Sequence, residues 1–387
     1  MKSAHKRKTI SHFVGLNGIG GVQSNFIEYM KNIDLNHSRY NHKVYTIGNI
    51  DSSYKLSNSA LDIRKTFNLC RLILDIVSKD VIVHFYNNLS SFKLAFFLFF
   101  LPVNKLIVHE RGTIWNQKHT NWLAPCFVAW KASVIISNSL ATKTMLIKKF
   151  SIPKAKIQVL HNGINTTPNF DCVNRNKKDA RIFRIGFIGR LDSPKGVHTL
   201  IDAMSHIKKE NFELIIAGEG VLGEYLRARA YKLNNVKFIG RIDNQYSFFG
   251  KIDLLVVPSI REPLGNVCLE AGLCKTPVLA TNVDGIPEII ENGVNGELIE
   301  ATEEVSIINI KDSVPLPEFV VDSATQQLKS PMQVSSFLLA KKILELSEKP
   351  EQMSYYAINL HKKVMKYFNI TRYRSEMHAI YSKLFLL

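Results

Sequence analysis

The sequence predicts an α/β protein built of two doubly wound parallel-sheet domains. Three observations carry that prediction. Short apolar, β-branched runs alternate with longer amphipathic stretches, the pattern of βαβ units. The runs are continuously apolar, as strands covered on both faces must be. The pattern also stops at a polar segment, Asn169 to Arg181, and then starts again. A length of 387 residues suits two domains, since one domain takes roughly 100–200.

In the first half the strand candidates are Ile10–Val14, Lys43–Ile47, Val81–Phe85, Leu106–His109, Val134–Ile136 and Ile157–Leu160. In the second they are Ile182–Ile188, Glu213–Ala217, Val236–Ile239, Leu254–Val257, Val278–Ala280 and Glu297–Ile299. Residues Ala301 to Ser330 are irregular and read as an insertion, with a hairpin as one form. Helical periodicity returns at Val334–Leu346, Met353–Phe368 and Tyr373–Leu384. In the last of these, Tyr373, Met377, Ile380, Tyr381 and Leu384 share one face.

The formal charge of +17 implies an anionic partner: nucleic acid, acidic headgroups or phosphorylated substrates. No arginine-rich tract, zinc-finger spacing or aromatic-glycine RNA signature supports nucleic acid. Five cysteines without a C-x-x-C pair argue against a disulfide framework or structural zinc, and favour the cytosol. The basic start, Met1 to Lys8, has no apolar stretch of signal-peptide length after it. Leu94–Leu101 is the most apolar run, far short of the roughly 20 residues a membrane span needs. It reads as a buried helix, since short apolar runs are more often core. The other reading is a patch lying on a membrane, with Lys93 and Lys105 meeting acidic headgroups.

Four segments carry chemistry. Arg261 to Glu270 follows the strand Leu254–Val257; a helix beginning near Gly265 directs unpaired N–H groups and a positive dipole end at an anion. Glu262 and Glu270 can face one ligand there, and carboxylates accept from vicinal hydroxyls; a helix cap plus a solvated carboxylate is the plainer alternative. Gly186 to Gly196 closes the first strand of the second domain and carries Arg190 and Lys195, an arginine fork and a lysine point charge suited to a pyrophosphate, or else a basic surface turn. Gly15 to Val22, with Gly20 and Gly21, is a glycine-rich strand-to-helix turn. Its spacing is not G-x-G-x-x-G, and no acid clearly ends the second strand, which counts against a nicotinamide enzyme. His109 ends the strand Leu106–His109, where ligands of such sheets bind.

Together these residues resemble the retaining GT-B glycosyltransferases of family 4. The specific part is Glu262-Pro263-Leu264-Gly265-Asn266-Val267-Cys268-Leu269-Glu270 with Ala271 to Val278, similar to the family's E-x7-E segment and following strand. Lys275 and Leu264 depart from the usual Gly and Phe, and neither removes a ligand-binding side chain. Gly20-Gly21-Val22, His161 to Asn165, Gly189-Arg190-Leu191 with Lys195-Gly196, Gly218-Glu219-Gly220 and Asp284 to Glu288 also match. The resemblance implies two Rossmann-like domains facing across a cleft: residues 1–170 on the acceptor side, 171–368 binding the nucleotide-sugar, and a helix in 369–387 crossing back. It implies that Arg190 and Lys195 bind the donor pyrophosphate and that Glu270 holds the ribose. Glu262 and the backbone of Gly265, Asn266 and Val267 would hold the sugar. Gly20 and Gly21 would let backbone approach phosphate, His109 would contact the donor sugar, and Arg241 would lie near the base.

The implied activity is hexose transfer, with retention, from a UDP- or GDP-sugar to a glycan or lipid-linked acceptor of O-antigen, capsule or lipopolysaccharide. Neither cofactor nor metal is expected, because Arg190 and Lys195 take the work of a cation and no D-x-D triplet is seen. The expected place is the cytoplasm, with peripheral contact at the anionic inner face of the membrane. Two other readings are an epimerase or phosphorylase on the same fold and an inactive nucleotide-sugar-binding scaffold. The complete E-x7-E segment disfavours the epimerase, the modest length disfavours the phosphorylase, and intact Arg190, Lys195, Glu262 and Glu270 disfavour the scaffold.

Overall fold

The computed structural model describes residues 8–17, 20–33, 38–51, 60–167, 182–307 and 310–386. The polar segment 169–181 and most of the basic N-terminus lie outside these residues. The chain divides into two compact units, residues 1–165 with 369–387 and residues 166–368.

The first unit holds a seven-stranded parallel sheet: β1 Thr9–Phe13, β2 Asn41–Thr46, β3 Leu61–Asp62, β4 Val81–Tyr86, β5 Leu106–Glu110, β6 Val134–Ser137 and β7 Ile157–Val159. Their order is β3-β2-β1-β4-β5-β6-β7. The reversal beside β1 is the switch point that opens a crevice at the strands' carboxyl ends in doubly wound sheets. Crossover helices α1 Gly21–Lys31, α2 Thr66–Val77, α3 Phe92–Phe99, α4 Leu123–Lys131 and α5 Leu140–Phe150 join them. Strands β4 and β5 are buried at every position, which is why they read as unbroken apolar runs.

The second unit repeats the plan with six strands: β8 Phe183–Ile188, β9 Phe212–Ala217, β10 Val236–Gly240, β11 Leu254–Val257, β12 Val278–Thr281 and β13 Glu297–Ile299. The order is β10-β9-β8-β11-β12-β13, all parallel. Its helices include α6 Val197–His206, α7 Gly223–Arg229, α8 Gln245–Phe249, α9 Asn266–Leu273 and α10 Ile286–Ile289. Residues 301–334 hold two small antiparallel pairs. The first joins β14 Ala301–Glu303 to β17 Gln333–Val334, and the second joins β15 Val320–Val321 to β16 Leu328–Lys329. Ile307 and Ile310 of this stretch pack on the unit's core. Helices α11 Ser336–Ser347 and α12 Pro350–Tyr367 complete the unit.

The last helix, α13 Ile370–Leu386, buries Tyr373, Met377, Ile380, Tyr381 and Leu384 in the core of the first unit. It returns there beside Ile164, whose carbonyl accepts from Ile370 N at 2.8 Å. Under α1 and α13 the sheet presents histidines among its aliphatics. His12 Nε2 and His42 Nδ1 are 3.0 Å apart, and His84 Nδ1 meets the Tyr381 hydroxyl at 2.9 Å. Burial holds His12 and His84 well below the usual imidazole range and brings His42 down to about 4.

Two expectations need correction. Helix α3 is not buried throughout: Leu94, Ala95 and Leu98 face inward, while Phe92, Phe96, Phe99 and Phe100 are 65–70% exposed. A run apolar on every side gives no phase, so composition alone could not assign an outer face. Cys70, Cys126 and Cys268 are free, but Cys274 is disulfide-bonded, against the expectation from the cysteine pattern. Among the described residues no helix is long and apolar enough to cross a membrane.

Candidate active site

The strongest constellation lies at the carboxyl ends of β8, β11 and β12. Strand β8 ends at Ile188 and feeds a loop that closes in a short 3-10 turn, Ser193–Lys195. Strand β11 ends at Val257 and feeds the loop to α9. The two loops are zipped together, because the Pro194 carbonyl accepts from Ile260 N at 2.9 Å and from Arg261 N at 3.2 Å. Gly196 permits this approach. Its φ is +64°, and a Cβ there would sit 1.9 Å from the Pro258 carbonyl oxygen.

The contact brings Lys195 to Glu262: Nζ lies 2.5 Å from Oε2, with both side chains largely buried. Such charge-assisted contacts are shorter and stronger than neutral ones. The Ser259 hydroxyl lies 3.4 Å from the same oxygen. Arg190, 64% exposed at its side chain, has Nε 3.3 Å from the buried Asp192. The loop therefore carries one cation tied into the protein and one turned to solvent.

Asp284 holds Glu262 in place. Its Oδ2 accepts from Glu262 N at 2.9 Å, and its Oδ1 accepts from Val321 N at 2.7 Å. Gly285 N donates to the Glu262 carbonyl at 3.1 Å. One carboxylate thus ties the β11 loop, the start of α10 and the 301–334 stretch together. That stretch also reaches the 3-10 turn, where Ser313 Oγ lies 2.7 Å from Ser193 Oγ.

Helix α9 starts after Gly265, whose φ of +98° favours glycine. Its first-turn N–H groups, at Asn266 and Val267, lack intrahelical acceptors by construction. Glu270 sits one turn further along. Burial raises its pKa to about 7, against a hydrogen bond from Gln245 that favours the anion. Glu262 and Lys195 both act on Glu270 through their charges, so the three form one electrostatic group.

The structure brings together Arg190, Lys195, Glu262, Gly265, Asn266, Val267 and Glu270. Arg241 stands apart from them, exposed just beyond β10, the edge strand. In the first unit, Gly20 caps α1 and Gly21 is its first residue. His109 is fully buried, with its ring 5.5 Å from that of His84 and 5.4 Å from Tyr86, and among the described residues neither ring nitrogen has a hydrogen-bond partner. It lies in the core beside His84 and Tyr86. Sequence reasoning gave no role to Asp284, Asp192 or Gln245. Asp284 lay in a segment noted for its likeness to the family, but its two amide partners are 22 and 37 residues away and leave no local signal.

The chain is similar to known proteins in sequence and in fold. Residues 173–314 match the family model "Glycosyl transferases group 1". An uncharacterized glycosyltransferase of Methanocaldococcus jannaschii, MJ1607, is 35% identical over 184 residues, 43% of this chain and 47% of its own. The capsular polysaccharide biosynthesis glycosyltransferase CapM of Staphylococcus aureus is 30% identical over 184 residues, 44% of this chain and 48% of its own. N-acetylgalactosamine-N,N'-diacetylbacillosaminyl-diphospho-undecaprenol 4-alpha-N-acetylgalactosaminyltransferase of Campylobacter jejuni is also 30% identical over 184 residues, 46% of this chain and 49% of its own. The chain spans about half the length of these curated relatives. Over 97% of its length it shares the fold of Anabaena Alr3699/HepE, solved with UDP and glucose. The TM-score is 0.73, the identity 21%, and all of that chain is covered. The matched stretch, 173–314, holds Arg190, Lys195, Glu262 and Glu270.

Proposed function

We propose that this chain is a retaining glycosyltransferase that moves a hexose from a UDP- or GDP-sugar to a glycan or lipid-linked acceptor in cell-surface polysaccharide assembly. The observation that carries the reading is the Lys195–Glu262 pair set beside Glu270 and the start of α9. Breaking the bond between the anomeric carbon and the pyrophosphate builds negative charge on the leaving phosphate. Arg190, Lys195 and the first turn of α9 stabilise it without a metal. Glu262 accepts from sugar hydroxyls, Glu270 accepts from the ribose, and Arg241 serves the base. Gly20 and Gly21 give the phosphate a backbone approach in the first unit, and His109 is assigned to the donor sugar. The donor phosphate helps remove the acceptor proton on the face it leaves, which retains configuration.

The relatives support the choice of acceptor. CapM is named for capsular polysaccharide, and the Campylobacter enzyme for a sugar on diphospho-undecaprenol. A lipid-linked acceptor places the enzyme at the cytoplasmic face of the membrane. The test is calorimetric titration with UDP, GDP, ADP and CMP in EDTA, using wild type, Arg190→Ala and Glu270→Ala. Binding of one nucleotide, weakened in both variants, supports the reading and names the donor class. A folded wild type that binds none of them overturns the reading and the roles assigned to these residues.

A further inference from the structure

Helices α3 and α4 expose an unusual amount of aromatic surface. Phe92, Phe96, Phe99 and Phe100 on α3 and Trp122, Leu123 and Trp130 around α4 are each 53–70% exposed. Phe92, Phe96, Phe99 and Phe100 recur at helical spacing, so they form one stripe. The stripe continues across to α4. Ring centroids run Phe96–Phe100 at 5.2 Å, Phe100–Phe99 at 5.1 Å, Phe99–Phe127 at 6.1 Å and Phe127–Trp130 at 5.7 Å. Isolated surface aromatics need no explanation, but a contiguous patch of this kind marks an interaction surface.

The charge around the patch identifies the partner. From Val81 to Asn165 the chain has ten lysines and arginines and a single acid, Glu110. Glu110 is fully buried and accepts from Gly112 N, Ile114 N and the Thr113 hydroxyl, so it offers nothing to the surface. Lys93 and Lys118 are exposed, and Lys131 Nζ lies 5.3 Å from the centre of the Trp130 ring. Lys105 turns the other way, over Phe385, and is not part of the rim. A protein partner would need matching shape and acids. Aromatic rings at headgroup depth with a lysine rim and no exposed carboxylate are what an anionic bilayer selects.

We infer that α3 and α4 form a membrane-docking surface that inserts Phe92, Phe96, Phe99, Phe100, Trp122 and Trp130 into the headgroup layer of an anionic bilayer. This deepens the proposed function and rests on its placement at a membrane. The experiment uses neither donor nor acceptor, so its failure is separable from failure of the transferase reading.

Of the three tryptophans, Trp115 is buried, while Trp122 and Trp130 lie in the patch and report on it directly. The full chain is mixed with phosphatidylcholine vesicles with and without phosphatidylglycerol, at low and high salt. Tryptophan emission, quenching by brominated lipid and co-sedimentation are read. The expected result is a blue shift and quenching with the anionic vesicles only. The double variant Phe96→Ser/Phe99→Ser should lower partitioning by at least roughly tenfold with unchanged melting. Lys93→Glu should lower it about fivefold at low salt and less at high salt. Tyr231→Ser, which removes an exposed aromatic of the second unit, should change nothing. Absence of binding to anionic vesicles overturns the inference, as does binding that the double variant leaves intact. A concentration-dependent dimer that the double variant abolishes, with no vesicle binding, assigns the patch to a second copy of the chain instead.

Discussion

Removing the Lys195 ammonium does two things at once. On the proposed mechanism it withdraws a cation from the place where phosphate charge develops, and it strips a largely buried Glu262 of its ion-pair partner. Lys195→Ala should lower transfer roughly 10²–10³-fold, about 3–4 kcal/mol of barrier, by the measure of a lost oxyanion donor. Turnover within about threefold of wild type would confine Lys195 to a structural role. Glu270 makes the opposite kind of prediction. Its folded pKa of about 7 stands above the ordinary carboxylate value, so the folded state holds its proton more tightly than the unfolded one. Stability is therefore lost as pH rises from the ordinary value through about 7, and is flat beyond. Glu270→Gln should be more stable than wild type at pH 8, by about 1–3 kcal/mol, and equal to it near pH 4. Urea unfolding at the two pH values checks this. The same substitution should weaken nucleotide binding at pH 8, so stability and binding move in opposite directions, as expected of a group kept for function rather than for folding.

At the scale of elements, the β11 loop and the 301–334 stretch hang on one carboxylate. Asp284→Ala frees the amides of Glu262 and Val321 together, and amide exchange should quicken at both while β11 itself stays protected. The cost in stability should be about 2–4 kcal/mol, since two hydrogen bonds to a buried charge are lost. Exchange that quickens at only one amide would break the proposed linkage. Gly196→Ala forces a Cβ against the Pro258 carbonyl and should separate the two loops that carry Lys195 and Glu262. The strands were readable because parallel strands covered on both faces advertise themselves as unbroken apolar runs. Eleven-residue stretches such as α1 and α5 follow them as the connections that parallel pairing demands. Strand β3, only Leu61–Asp62, is too short to leave a pattern and was not foreseen. Helix α3 shows the reverse limit, since Phe and Leu on every side announce a helix without saying which side faces out. The loop cations and the two glutamates were legible because each follows a strand closely in sequence. The clamp on them was not, because Asp284 acts on distant amides.

The two units should answer to acid and base differently. In the first, His12, His42 and His84 lie buried with depressed pKa values, so the unfolded chain takes up protons first as pH falls below the usual imidazole value. Their stabilising contribution is present above that value and is lost as pH falls towards about 4. In the second unit, Glu270 removes stability as pH rises. Calorimetry should resolve two transitions whose separation changes between pH 5 and pH 8. His42→Gln should blunt the acid sensitivity of the first-unit transition and leave the other unmoved. The histidine stripe was itself illegible in sequence. Residues 12, 42, 84 and 109 become neighbours only through the strand order β2-β1-β4-β5 and the pairing of His12 with His84. The seam where α13 rejoins the first unit has a further consequence. Ile164 and Asn369 stand side by side across a single strand spacing of about 5 Å, so everything between them is a loop tied at its base. Among the described residues, none of that loop contributes to the core that α13 completes. The second unit is thus a cassette. A short peptide could replace it and leave the first unit's interior whole, and the cassette's own ends lie close enough to be fused and reopened elsewhere.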